Sequence, residues 1–210
     1  MFFSTPVLAD PYVYTQDEGK FVLRANIGAA LPDYSIESTN IQTTKDPTAN
    51  SSFIGDIGAS YFITDHFSFG ASLGYKSHSS NTQIFSAFGT TVGTDSGHTT
   101  ELPLTGLIEF YPAPYGALRP YIGGGFAHDF VLSSFSNIDY SSPSGPVING
   151  GVDWWYDKTF GLNFDVRKYF YSITADYTKE YSSLGLNTPV KQKFNDSPIE
   201  LTAGVAIRFK

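Results

Sequence analysis

Few residues of this chain could do chemistry. Histidines stand at His66, His78, His98 and His128, and there is no cysteine. A thiolate nucleophile, a thiolate metal site and a disulfide frame are therefore excluded. His78 and Ser80 lie two apart, but no carboxylate is placed beside them, and a Ser–His pair needs an acid to orient the imidazole. No two histidines share metal-ligand spacing with a carboxylate. Gly123-Gly124-Gly125 lacks the lysine and the following helix of a phosphate loop. What remains is a set of charges: Arg24, Asp56, Lys76, Glu101, Glu109, Arg119, Asp129, Asp153, Asp165, Arg167, Glu200 and Arg208. Each falls on the polar parity of a segment whose other parity is mostly apolar. The elements that hold them must be read next.

The stretch ELPLTGLIEFYPAPYGALRPYIGGGFAHDF (residues 101–130) is the most informative. Leu102, Leu104, Gly106, Ile108 and Phe110 alternate with Glu101, Pro103, Thr105, Leu107 and Glu109. Beyond the turn APYG, Ile122, Gly124, Phe126, His128 and Phe130 alternate with Tyr121, Gly123, Gly125, Ala127 and Asp129. Successive strand side chains point to opposite faces, so this is a hairpin with one mostly apolar face. Ten residues at ~3.3 Å each, tilted ~45°, rise ~23 Å, the height of the apolar band of a bilayer.

Similar alternation recurs over residues 20–30, 53–63, 67–75, 148–156, 160–166 and 199–209, which makes eight strands. Residues 169–177 are expected to extend the seventh strand above the membrane. Polar segments 31–50, 77–100, 132–146 and 178–197 read as long loops, and turns near residues 64–66, 113–116 and 157–159 read as short ones. The fold predicted is all-β: an eight-stranded antiparallel transmembrane β-barrel with short periplasmic turns and long extracellular loops.

The totals agree with that reading. The 210 residues allow one barrel of moderate size. Aromatics are 16% of the chain, yet mean hydropathy is only −0.14, as expected when strands have one apolar and one polar face. No run of 18 or more apolar residues is present, so no spanning helix is expected. A net charge of −7 argues against a nucleic-acid partner. MFFSTPVLA resembles the tail of a secretion signal, so residues 1–9 are read as its remnant and 10–210 as a single barrel domain. Alternation alone also fits a lipocalin-like soluble barrel, which keeps its apolar face inside. Small Gly and Ser on the polar parity favour a narrow polar interior, and Gly123–Gly125 fits there.

ELPLTGLIEFYP, LRPYIGGGFAHDF, GGVDWWYDKTFGLNFDVRKY and the closing LTAGVAIRF resemble the OmpW family of small outer-membrane barrels, with EGKFVLRANIG similar to its first strand. The likeness covers most of residues 18–209. It implies a bacterial outer-membrane location, no enzymatic activity, no cofactor, and passage of small hydrophobic solutes. It also implies contact with outer-membrane lipid and lipopolysaccharide, and assembly by the machinery that reads a terminal aromatic. The sequence closes on Phe209-Lys210, and Phe209 is expected to serve as that aromatic, with Lys210 an extension.

An eight-stranded barrel is just wide enough for side chains to fill, so a wide water pore is not expected. Inward charges would pair across the lumen, because an unpaired buried charge is costly. They are assigned as lumen charges: Arg24, Asp56, Glu101, Glu109, Arg119, Asp129, Asp153, Asp165, Arg167, Glu200 and Arg208. Pro103 cannot donate a ladder hydrogen bond. The resemblance makes it the mark of a lateral opening into the membrane; a harmless bulge is the competing reading. Leu107, Val131, Leu132 and Phe135 are expected to line an apolar mouth. The other functions left open are a barrel-type lipid deacylase and an adhesin or receptor acting through its loops.

Overall fold

The structure, a computed structural model, describes residues 16–31, 33–39, 52–85, 91–133, 139–176 and 191–209. Residues 1–9 and Phe135 lie outside the described residues. Eight strands close into a barrel: β1 (Phe21–Leu31), β3 (Ser52–Thr64), β4 (Phe67–Phe85), β5 (Thr91–Phe110), β6 (Leu118–Ser133), β8 (Ser144–Trp155), β9 (Phe160–Tyr169) and β12 (Ile199–Phe209). Four further strands, β2 (Tyr34–Thr39), β7 (Asp139–Tyr140), β10 (Tyr171–Asp176) and β11 (Lys191–Asp196), form a second sheet in the order β2-β11-β10-β7. Within the barrel every pairing is antiparallel, and β1 closes the ring by pairing with both β12 and β3. Closure leaves no strand edge to be satisfied by solvent, which a sheet in lipid requires.

The alternation in the sequence is obeyed residue by residue. On β3, Ile57 is 64% exposed while its neighbour Asp56 is 5% exposed. Phe67, Phe69 and Leu73 point outward on β4, and Ser68, Ser72 and Lys76 are buried. The apolar parity thus faces out and the charged parity faces in, the opposite of a soluble lipocalin-like barrel. Aromatic rings gather on the outer wall near the short turns, with Phe21 4.8 Å from Tyr61 and Phe67 5.1 Å from Phe110, as in an interfacial girdle.

The connections at that end are short: Asp65-His66 between β3 and β4, residues 111–117 between β5 and β6, and 156–159 between β8 and β9. Residues 16–20 return to the same end, where Gly19 N–H donates to Phe62 O and Asp17 N–H to Asp65 Oδ1.

Expectations about the opposite end need correction, for β2, β7, the start of β8 and β11 lie within segments read as loops, and two further differences stand out. Residues 77–100 were expected to be loop. Instead β4 and β5 stay paired from Ser77↔Thr100 through Ile84↔Gly93 to Phe85↔Thr91. Above the membrane both faces of a hairpin meet water, so a strand there loses the apolar alternation that betrays it, and β-branched Thr still favours pairing. The expected upward extension of the seventh strand also fails. The chain leaves the barrel at Phe170, and β10 pairs with β11 and β7 in the second sheet.

A paired lumen beside an interrupted ladder

Alternate positions of eight strands deliver the charged parity to one narrow interior, where the side chains sort by height. Nearest the short turns, Asp17 lies between two arginines. It accepts from Arg119, and Arg208 Nε stands 3.0 Å from its Oδ1. The Arg208 guanidinium lies 3.8 Å over the ring of Trp155, a cation–π contact. Val22, Phe62, Tyr111, Tyr121, Trp155 and Ala206 pack around this level.

Above it Arg24 is the hub. Its Nε and Nη2 reach the two Asp153 oxygens at 3.1 and 2.7 Å, a bidentate pair. It also donates to Tyr111 Oη at 2.6 Å and Ser60 Oγ at 2.9 Å, and meets Glu109 at 3.4 Å. Asn163 and Asn149 extend the network to Asp153, Glu109 and Asp165. Here Arg24, Arg119 and Arg208 face Asp17, Glu109 and Asp153 one for one. Burial without such pairing would cost several kcal/mol per ion, roughly.

Arg167 forms the next level, 2.7 Å from Asp165 two residues back on the same face and 3.8 Å from Asp56 on β3. At the upper level Lys76 meets Glu101 at 2.9 Å, Asp129 at 3.2 Å and Glu200 at 3.4 Å. Tyr169 donates to Glu200 at 2.9 Å. Leu107, Ala127, Val147, Tyr169 and Tyr171 form an apolar cluster beside it. All eleven residues assigned as lumen charges are buried, at 8% exposure or less.

Pro103 is buried on the inward parity. On one side its ladder is intact, with Leu102↔Phe130 and Pro103↔Asp129. On the other side the register runs Leu73↔Leu104 and resumes at Lys76↔Glu101, with Gly74 and Tyr75 unpaired to Pro103 and Leu102. A proline has no amide hydrogen to give, and the β4–β5 seam is interrupted at its position. The gap lies beside the Lys76 cluster, since Glu101 and Asp129 flank Pro103 in sequence and in register.

Of the four residues expected at an apolar mouth, Phe135 lies outside the described residues, and the other three do not converge. Leu107 points inward and belongs to the apolar cluster. Val131 is half-buried. Leu132 is 58% exposed on the outer wall. It shares the parity of Phe130, so nearness to a loop does not turn it inward; a one-residue offset flips the face. Asp17 was missed, because it precedes the first alternating segment and no pattern marked it. The hydroxyls of Tyr111, Tyr121 and Tyr169 were missed too, although each lies on the polar parity, which was the available signal.

Of the histidines, His128 faces outward. Its Nδ1 is 2.7 Å from Ser144 Oγ and its ring stands edge-on to Phe130. The adjacent Asp129 points the other way, into the lumen. His66 Nδ1 contacts the backbone oxygen of Tyr111 at 2.8 Å. Among the described residues no group of three or more His, Asp or Glu is arranged to hold a metal ion.

The model of the OmpW family matches residues 17–209. A putative outer membrane protein of Rickettsia conorii is 23% identical over 95% of this chain and 85% of its own length. Outer membrane protein W of Vibrio cholerae is 27% identical over 81% of this chain and 82% of its own. Among solved structures, the outer membrane protein OprG of Pseudomonas aeruginosa superposes with a TM-score of 0.77 at 18% identity, covering 92% of this chain and 97% of that one. The outer membrane protein AlkL, solved in lipid bilayers, gives 0.60 at 16% identity, covering 100% and 97%. At such identities the structural likeness speaks for the fold.

Proposed function

The chain belongs to the OmpW family of outer-membrane β-barrels, and from that footing we propose that it passes small apolar solutes from the extracellular side into the membrane, sideways through the barrel wall at Pro103. One observation carries this reading: the β4–β5 ladder is interrupted at Pro103, level with the upper lumen and above a lower lumen filled by paired side chains. A solute that has shed water at the apolar cluster of Leu107, Ala127, Val147, Tyr169 and Tyr171 meets the Arg24 and Arg208 layers below it. Those layers are dense with ion pairs and rings, and an apolar solute gains nothing by displacing them. The interrupted seam offers a lipid-facing route of lower cost, because few backbone hydrogen bonds must break there.

The test is uptake of n-octane into vesicles carrying the full chain. The expected result is uptake faster than into protein-free vesicles, slowed severalfold by Pro103→Ala, which returns an amide hydrogen to the seam. Circular dichroism checks that the variant keeps its strand content. Equal uptake by the folded variant and the parent would remove the lateral exit.

A further inference from the structure

The upper lumen is not balanced as the lower one is. There one ammonium, Lys76, is shared by three carboxylates, Glu101, Asp129 and Glu200, and Arg167 of the level below lies within electrostatic reach of Glu200. Lys76 has three N–H donors and directs its contacts to those three groups. Lys76 does not satisfy every oxygen around it: Asp129 Oδ1 and Glu200 Oε1 are buried without a hydrogen-bond partner. Tyr171 gives a second, independent sign. It is 3% exposed, its hydroxyl has no hydrogen-bond partner, and it lies within electrostatic reach of Lys76, Asp129 and Glu200. Native interiors rarely leave such atoms unsatisfied, and unsatisfied oxygens beside three clustered carboxylates favour a cationic donor.

We propose that this level of the lumen is a recognition site for solutes with a protonated amine on a short apolar body. This rests on the part of the reading above in which small solutes enter the upper lumen, and it concerns those that carry an amine head on an apolar body rather than the wholly apolar ones. The amine head would donate to Asp129 Oδ1 and the Tyr171 hydroxyl. The body would lie against Leu107, Ala127 and Val147, with the rings of Tyr169 and Tyr171, 5.2 Å apart, beside the charge. Such rings already serve a cation here, since Lys76 Nζ stands 5.5 Å from the centre of the Tyr169 ring. Tyr171 stands on β10, outside the barrel wall, so it can yield to a ligand without breaking a barrel ladder. A carboxylate-headed solute would be repelled.

The experiment is calorimetric titration of the full chain in lipid nanodiscs with n-pentylammonium, n-pentanol and n-pentanoate, with empty nanodiscs subtracted. The three share one body and differ in head charge. The expected result is that the ammonium binds about tenfold or more tighter than the alcohol, with the carboxylate weakest. Asp129→Asn should bring the ammonium down to the level of the alcohol. Tyr171→Phe, which removes one hydroxyl outside the barrel, should weaken the ammonium severalfold and leave the alcohol unchanged, and it keeps the test decisive if Asp129→Asn does not fold. Equal binding of ammonium and alcohol, or a preference that both variants leave intact, overturns the proposal. Failure of the transport reading shows separately, as n-octane uptake no faster than into empty vesicles.

Discussion

Pro103 leans on Gly74: a Cβ built on that glycine would sit 2.8 Å from Pro103 Cγ and 3.4 Å from Cδ. The two residues face each other across the interrupted part of the β4–β5 seam, and the glycine leaves the room the ring occupies. Gly74→Ala should therefore cost about 1–3 kcal/mol of stability through overpacking. In a Pro103→Ala background the ring is gone, and the same substitution should cost about 1 kcal/mol less. Urea unfolding of the four proteins in lipid vesicles measures the coupling. Strictly additive effects would show that the contact carries no energy.

Arg24 holds Asp153 and Glu109 together with Tyr111 and Ser60. Arg24→Met keeps the bulk and strands two buried carboxylates, and should destabilise by about 3–5 kcal/mol. Arg24→Lys restores the charge without the planar fork, and should recover only part of that loss because one ammonium cannot span both Asp153 oxygens in the same way. Unfolding midpoints at neutral pH rank the three proteins. A lysine variant as stable as the parent would mean that charge alone matters at this site.

How far such a network could be read beforehand depends on which property of the sequence carries it. The side of the wall on which Arg24, Asp56 or Glu200 lies follows from a period of two, and that period is local. The partner of Arg24 does not follow: Asp153 is 129 positions away and meets it only through the closure and register of the whole ring. Asp17 supplies the carboxylate for Arg119 and Arg208 from outside any alternating segment, so no period points to it. The four-stranded sheet and the upper β4–β5 hairpin were illegible for a related reason. Beyond the bilayer no lipid face forces an apolar residue at every second position. Leu132 shows the converse error, for its outward direction was written in the parity it shares with Phe130, and its place beside a loop was given more weight than that.

Gly106 and Gly125 lie in the same part of the β5–β6 ladder and should respond to alanine with opposite sign. A Cβ on Gly125 would sit 1.8 Å from the Gly106 backbone oxygen, with nowhere to shift except the backbone itself. A Cβ on Gly106 meets nothing nearer than Phe126 O at 3.9 Å and points to lipid. Gly125→Ala should lose about 2 kcal/mol or more, while Gly106→Ala should be neutral or gain about 0.4–1 kcal/mol by restricting the unfolded chain. Paired unfolding curves test it, and equal losses at both positions would contradict the strand spacing described for this ladder.

The turn between β8 and β9 carries a pH signature of its own. Asp157 Oδ1 accepts from the backbone N–H of both Thr159 and Phe160 at 2.7 Å. Those two hydrogen bonds favour the charged carboxylate and hold its pKa below the ordinary aspartate value, although the group is fully exposed. A carboxylate with a depressed folded pKa adds stability that is in place above its unfolded pKa of about 3.9 and is lost as pH falls through the lower, folded value. The turn should therefore stay formed under mildly acid conditions and loosen only below the ordinary aspartate range. In NMR titrations the Thr159 and Phe160 amides should report a midpoint below about 3.9, and in Asp157→Ala that titration should vanish from both amides. A midpoint at or above the ordinary aspartate value would mean that the two amides do not hold the charged form.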